Sequence, residues 1–502
     1  MIHPLVYEIN TRCWLHALAQ REGRAVNLAT VPDAEFARWR ELGFTHVWAM
    51  GVWTTGPRAL ALALNDEGLR RRFDALLPGW KEEQAAGSPY AISAYRVPAA
   101  LGGETGLRAF RAKLHAHGLK LLLDFVPNHL GIDHPSINQR PEFFVQSPDK
   151  VEGTFARETS SGQSWFAHGR DPNFPPWRDT VQVDYRRPEA RAAMIEVLQT
   201  VAGLCDGVRC DMAMLLLNDV FNSTWAHFPA HPSSPTEFWA EAIGTVRART
   251  PGFLFLAEAY WGLETRLQSL GFDYVYDKSV YDALIERRYA ELQKQLLATP
   301  PSQRVARTHF LENHDERRVA SVLSPAEHRA AALLMLGLPG MRLLYEGQMH
   351  GHRRQVPVQL GCWPDEPAQQ DIECMYEQLL TTLRASAVGR GEGRLLHPCA
   401  GQAKESAGEF VIVQWQASGD GADLVVVNLA PHSGHCQVRL AMDKLSAHDW
   451  ELRELPGGES VHLRGTDLAK NGIRFQAHAH GAHLFRLRTA WKRRHFLSNA
   501  QI

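Results

Sequence analysis

Four short clusters run from an apolar stretch straight into residues that can do chemistry: LLLDFVPNH (121–129), DGVRCDMA (206–213), FLFLAEAYW (253–261) and HFLENHDERR (309–318). Three of them deliver a carboxylate near that junction, namely Asp211, Glu258 and Asp315. A carboxylate at the end of an apolar strand is costly to bury unless it is paired or used. Any one of the three alone reads best as a cap or turn residue. Three on three strands, with Arg209 beside one and His314 beside another, read better as a catalytic set. Such a set suits cleavage of a glycosidic bond with retention. One carboxylate attacks the anomeric carbon, a second, kept protonated, donates to the leaving oxygen, and the second then acts as base. Two carboxyls about 5–5.5 Å apart push their pKa values apart, so one stays ionised while the other holds a proton. Arg209, two residues before Asp211, points to the same side of its strand. Its fixed charge would keep Asp211 ionised and oriented.

Something must bring these distant residues together. Short apolar runs alternate with helical stretches through roughly the first 385 residues. The expected strands are Leu5–Ile9, His46–Gly51, Leu119–Phe125, Gly207–Asp211, Phe253–Glu258, Phe272–Tyr276, Thr308–Glu312 and Met341–Tyr345. Amphipathic helices lie between them, one over Glu104–His117 and another from Pro188 to about Val201. Eight strands separated by helices predict an α/β fold, a parallel sheet closed into a (β/α)8 TIM barrel, with a doubly wound open sheet as the alternative on periodicity alone. In a barrel of this kind the C-terminal ends of the strands form the active face, which is where the four clusters fall. Residues 131–185 break the rhythm; they are rich in Pro, Gly, Ser and Asp and too long for an ordinary loop, and so read as a small irregular inserted domain after strand three. From 389 to 502 the runs EFVIVQW, DLVVVNL, HCQVRL and AHLFRL alternate between turn signals, which predicts a separate all-β sandwich. The barrel is then 1–130 with 186–388.

The four clusters are similar, in order, to the signature regions of the α-amylase family, glycoside hydrolase family 13. The first follows the family's Asp-x-Val-x-Asn-His as Asp124, Val126, Asn128 and His129; the second follows Gly-x-Arg-x-Asp as Gly207, Arg209 and Asp211. The third supplies Glu258 and the fourth Asn313, His314 and Asp315. The resemblance covers nearly the whole chain and implies Asp211 as nucleophile, Glu258 as acid/base and Asp315 as a third essential carboxylate. It further implies that His129 and His314 bond sugar hydroxyls in the cleavage subsite and that Asp124 supports the site from behind. In SPYAISAY (88–95), Tyr90 matches the family's ring-stacking tyrosine. The expected substrates are short α-glucans, with a transglycosidase using the same residues as the alternative and a non-catalytic binding protein as a remote one.

Two departures qualify the resemblance. Many exo-acting relatives carry an Asp directly after that tyrosine, closing the pocket with an Arg; here the position is Ala91, and Arg318 is left either to reach sugar or to pair with Glu312 or Glu316. Where many α-amylases have a Lys-His pair after the nucleophile, this chain has Met214 and Leu215. Asn128 stands where a calcium ligand can stand, but one oxygen does not make a six- to eight-ligand site, so no metal or other cofactor is expected.

Composition excludes several other classes. The formal net charge is -1 over 502 residues, which gives no field to attract nucleic acid or anionic lipid. No signal peptide and no run of about 18 apolar residues is visible, and seven scattered cysteines fit free thiols. A cytoplasmic enzyme with a carbohydrate substrate is therefore expected, with no nucleic-acid or membrane partner; nothing in the sequence sets an oligomeric state. His478, His480 and His483 read as a solvated turn rather than a metal site, and the basic WKRRH (491–495) as a surface end.

Overall fold

A computed structural model describes residues 2–159, 162–229, 234–399, 407–416, 419 and 421–490. The WKRRH segment lies outside the described residues. Eight parallel strands close a barrel in the order of the chain. They are β1 (Leu5–Asn10), β2 (His46–Met50), β3 (Lys120–Phe125), β4 (Gly207–Cys210), β5 (Leu254–Ala257), β6 (Tyr274–Tyr276), β7 (Arg307–His309) and β8 (Met341–Tyr345). Closure is by β1 against β8, with Leu5 opposite Arg342 and Glu8 opposite Tyr345. The open-sheet alternative is excluded. Strands covered by helices outside and packed side chains within are buried on both faces, which is why β1, β2, β4 and β8 read as nearly unbroken buried runs. The expected helices form over Gly103–Ala116 and Pro188–Ala202, the second opened by a proline at its first turn, where no N–H is missed.

Four strands stop short of their expected ends, and in three of them the difference falls on the reactive residues. Asp211 and Glu258 lie one step beyond β4 and β5, and β7 ends at His309, six residues before Asp315. Backbone bonds still tether the first two: Asp211 N–H donates to Phe125 O at 2.9 Å, and Glu258 N–H to Cys210 O at 3.0 Å. Both side chains are thus fixed by the sheet yet released from its pleat.

The 131–185 excursion is less irregular than expected. Strand Thr154–Thr159 pairs with Gly162–Ala167 in an antiparallel hairpin, with Gln146–Ser147 beside it, while Thr180–Gln182 pairs back on His129–Gly131. The Gly and Pro content there marks turns between short strands rather than absence of structure. Past the barrel, six antiparallel strands run in the order Gly393–Leu396, Phe410–Gln416, Ala422–Asn428, Ala482–Thr489, Trp450–Leu455, Ser460–Leu463. A second sheet, Gly434–Val438 with Ile473–Ala477, shares their core through Cys436, Val438, Ile473 and Phe475. One short helix, Gly465–Asn471, interrupts this all-β reading. Trp415 is fully buried between sheet and barrel, and its indole donates to Gly337 O at 2.9 Å.

Candidate active site

Arg209 organises the centre. It sits in β4 beside Asp124 of β3 and Leu256 of β5, with no exposure to solvent. A buried guanidinium needs partners for its charge. Nη1 donates to Asp211 Oδ1 at 2.6 Å and Nη2 to Glu258 Oε2 at 2.7 Å. The rings of Trp48, Tyr90 and Tyr276 surround the same group at 5.3, 5.3 and 5.8 Å, so cation–π attraction and packing together lock its rotamer. One rigid fork therefore sets the spacing of two carboxyls from different strands.

Glu258 has two further partners. Met212 N–H donates to Oε2 at 2.8 Å, and the Tyr260 hydroxyl lies 2.6 Å from Oε1. Met212 takes a left-handed backbone conformation (φ 43°), which a branchless side chain tolerates at a cost of about 1–3 kcal/mol. That turn aims its N–H at Glu258. Burial raises the Glu258 carboxyl above the usual range; Arg209 opposes this, while the charges of Asp211 and Asp315 add to it. Burial raises Asp211 too, against the pull of Arg209.

His314 is the second organiser. Its Nδ1 lies 2.5 Å from Glu8 Oε1, and its Nε2 lies 3.0 Å from Asp315 Oδ2 and 2.6 Å from the Tyr90 hydroxyl. Tyr90 also stacks on the imidazole, with centroids 5.3 Å apart. Burial alone would favour a neutral ring, but Asp315 and Glu8 on either side outweigh it and hold His314 protonated well above the ordinary histidine range. Asp315 is held low in turn: burial would raise it, and His314 overcomes that. Unlike the other two carboxylates, Asp315 has a half-exposed side chain that faces open space.

The remaining candidates take supporting places. Asp124 is buried and accepts from Trp48 Nε1 at 3.2 Å and Gly51 N–H at 2.9 Å; burial raises it to about 6 against the pull of Arg209. His129 is buried, lies against Trp177 at 4.9 Å, and is pushed down to about 3 by burial, so it is neutral. Asn128 gives its Oδ1 and its backbone carbonyl to the Gln182 amide, at 3.1 and 2.7 Å. Among the described residues no three His, Cys, Asp or Glu gather as a metal site.

Arg318 departs from its expected place as a substrate ligand. It is 2% exposed, pairs with Glu312 at 2.7 Å, donates to Glu346 O at 2.6 Å and lies on the Tyr345 and Trp363 rings. The Glu312 alternative raised by the sequence is the one realised, because a fully buried glutamate must find a cation. Ala91 is buried outright beneath the same loop as Tyr90. Near the C-terminus His483 bonds Glu454 at 2.7 Å.

Glu8, Tyr260, Met212, Trp48 and Tyr276 had not been singled out from the sequence. For Glu8 a signal existed: a charge in the middle of the apolar run LVYEIN, which becomes a barrel strand buried at every position. It is wholly buried, and its Oε2 has no hydrogen-bond partner among the described residues, so His314 is its one anchor.

Comparison with known proteins agrees with this geometry. The family model for the alpha amylase catalytic domain matches residues 41–378. The alpha-amylase MalA of Haloarcula japonica is 25% identical over 266 residues, which is 52% of this chain and 36% of that protein. An alpha-1,4-glucan:maltose-1-phosphate maltosyltransferase of Burkholderia pseudomallei is 30% identical over 38% of this chain and 15% of its own length. Maltase 1 of Drosophila virilis is 25% identical over 56% of this chain and 52% of its own. The chain thus spans at most about half the length of these relatives. Among solved structures, the maltogenic alpha-amylase AmyB of Thermotoga neapolitana superposes with a TM-score of 0.67 at 19% identity, covering 97% of this chain and 99% of that one. The alpha-amylase of Geobacillus thermoleovorans gives 0.66 at 17%, covering 97% and 98%. These likenesses concern the fold from end to end, and the family match covers about two thirds of the residues. The chain belongs to the alpha-amylase family.

Proposed function

We propose that the chain is a retaining α-glycosidase that acts on short α-glucans through a covalent glycosyl-enzyme. One observation carries the proposal: a single buried guanidinium holds Asp211 and Glu258 at its two ends. That bridge suits the spacing of about 5–5.5 Å that retention needs, rather than the 6.5–9.5 Å that would leave room for a water between them. Arg209 occupies Oδ1 of Asp211, so Oδ2 attacks the anomeric carbon. On Glu258, Oε2 already receives two N–H donors, so the proton resides on Oε1 beside Tyr260 and passes from there to the leaving oxygen. The neighbouring negative charges keep that proton in place until it is needed. Asp315, with His314⁺, binds hydroxyls of the same ring as it flattens, a contact that strengthens in the transition state. These groups supply nucleophile, acid and charge stabilisation themselves, so the reaction calls for no cofactor.

Water or a sugar hydroxyl completes the second half-reaction. The resemblance to maltosyltransferases keeps transfer as the second reading, with the same residues. We place the protein in the cytoplasm, on the ground that no disulfide joins its cysteines among the described residues and that Cys374 and Cys399 are exposed. No helix among the described residues is long and apolar enough to cross a membrane. Proton NMR of the first product from maltotriose, together with sizing of all products, is the test. An α-anomeric product of smaller size supports the reading, products longer than the substrate make transfer the main activity, and a β-anomeric first product refutes double displacement.

A further inference from the structure

A cavity of about 770 Å³ opens between the helix Pro57–Asn65 and the inserted domain, and it is lined by none of the catalytic groups. Arg58 and Asn65 border it from the helix, Thr154 and Phe155 from the hairpin, and His168 and Arg178 from the loop that joins the hairpin to the return strand. Arg157 adds a third guanidinium behind the wall: its Nη2 donates to Ile132 O at 3.1 Å, it lies 5.9 Å from the Phe155 ring, and its Nε is buried without a partner. Among the described residues no carboxylate lies within 4.0 Å of any of these three guanidinium groups. Asp133 spends Oδ2 on the N–H groups of Arg58 and Ala59, and Glu152 stands exposed at the rim. Positive charge gathered round a concave space, with Asp133 and Glu152 offsetting only part of it, attracts an anion.

The other walls define more than an anion. His168 has its Nδ1 2.9 Å from Thr180 O, so Nδ1 carries the hydrogen and Nε2 is left as an acceptor. Thr154 and Asn65 are neutral groups suited to hydroxyls, and Phe155, Leu62 and Pro176 offer apolar faces against which a pyranose can lie. Arginine matches phosphate oxygens in fork geometry, and the volume suits a small ligand. We propose that this cavity binds a phosphorylated sugar, with Arg58 and Arg178 on the phosphate and His168, Asn65 and Thr154 on the hydroxyls. The site is separate from the catalytic cleft but mechanically close: Gly169, next to His168, packs on His129, where an added Cβ would come within 2.8 Å of the His129 Cβ.

The test is calorimetric titration of the full chain with glucose 6-phosphate, inorganic phosphate and glucose, repeated on the double variant R58A/R178A. Both arginines are exposed at the rim, so the variant should fold, which unchanged turnover of maltotriose will verify. Glucose 6-phosphate should bind wild type, weaken as salt is added, and lose at least about tenfold in affinity in the variant, as expected for charge-assisted bonds. Glucose should give no comparable heat. Absence of binding, or affinity retained in the double variant, overturns the site. Inorganic phosphate binding as tightly as glucose 6-phosphate overturns its assignment to a sugar.

Discussion

Each organising cation in this site serves two carboxylates, which makes the effect of single changes predictable. Asp211→Asn, Glu258→Gln and Asp315→Asn should each lower kcat by at least about 10³-fold while circular dichroism and the melting profile stay native. A variant within about tenfold of wild type would remove that residue from the mechanism. Glu8→Gln tests the charge on His314. With one flanking carboxylate gone, the imidazole pKa must fall, and the alkaline limb of the pH–rate profile should move to lower pH. The stability sign follows from the same shift. His314 is raised above its unfolded value, so its contribution is complete below about pH 6.5 and fades as pH rises through the folded pKa. Glu8→Gln should therefore destabilise most in acid and least in alkali; an unmoved profile would leave Glu8 a packing residue only. Arg318→Ala separates structure from binding. Leaving Glu312 buried without its cation should cost about 3–5 kcal/mol in denaturant unfolding, while KM at a permissive temperature changes less than about twofold. A large rise in KM at unchanged stability would return Arg318 to the substrate.

At the level of elements, the barrel supplies a ring of strand ends and the inserted domain supplies a lid wall. His129 depends on both. It closes β3's loop and is backed by the segment around Gly169, whose N–H bonds Thr180 Oγ1 at 3.0 Å and whose carbonyl takes the Trp177 N–H at 2.8 Å. An added methyl at Gly169 would lie 2.8 Å from both His129 Cβ and Thr180 Oγ1, so one of those side chains, or the segment itself, must shift. Gly169→Ala should therefore push the wall off His129 and raise KM several-fold, with little loss in the thermal stability of the barrel. Steady-state kinetics beside a melting curve distinguish this from general unfolding, which would lower both together.

Taken whole, the chain has neither of the two groups expected to seal a one-ring pocket available at the site. Ala91 has no carboxylate and is buried, and Arg318 is committed to Glu312. The cleft should then accept several rings, and binding energy from remote rings can be turned into rate. We expect kcat/KM to rise along a maltooligosaccharide series and to exceed that of an aryl glucoside. Phe174, 67% exposed on the inserted domain, and Trp177 beside His129 are the groups able to close that side. A value that is highest for the aryl glucoside and falls with length would mean that they do.

The barrel and its reactive corners were legible in the sequence because both obey local rules. Buried parallel strands must be apolar runs, helices must repeat every 3.6 residues, and a carboxylate closing an apolar run needs a reason to be there. Asp211, Glu258 and Asp315 satisfy that rule within a few residues of themselves. What the tertiary structure decided is pairing across the barrel. That Glu8 on the first strand holds His314 beyond the seventh and that Arg209 divides itself between two strands depend on the barrel, which brings residues about 50 to 300 positions apart into contact; that Arg318 turns back to Glu312, six residues away, depends on the burial of both. A sequence pattern gives the type and face of each side chain. Which buried charge neutralises which is set by three-dimensional proximity, because the cost of leaving any one unpaired is paid only once water has been excluded.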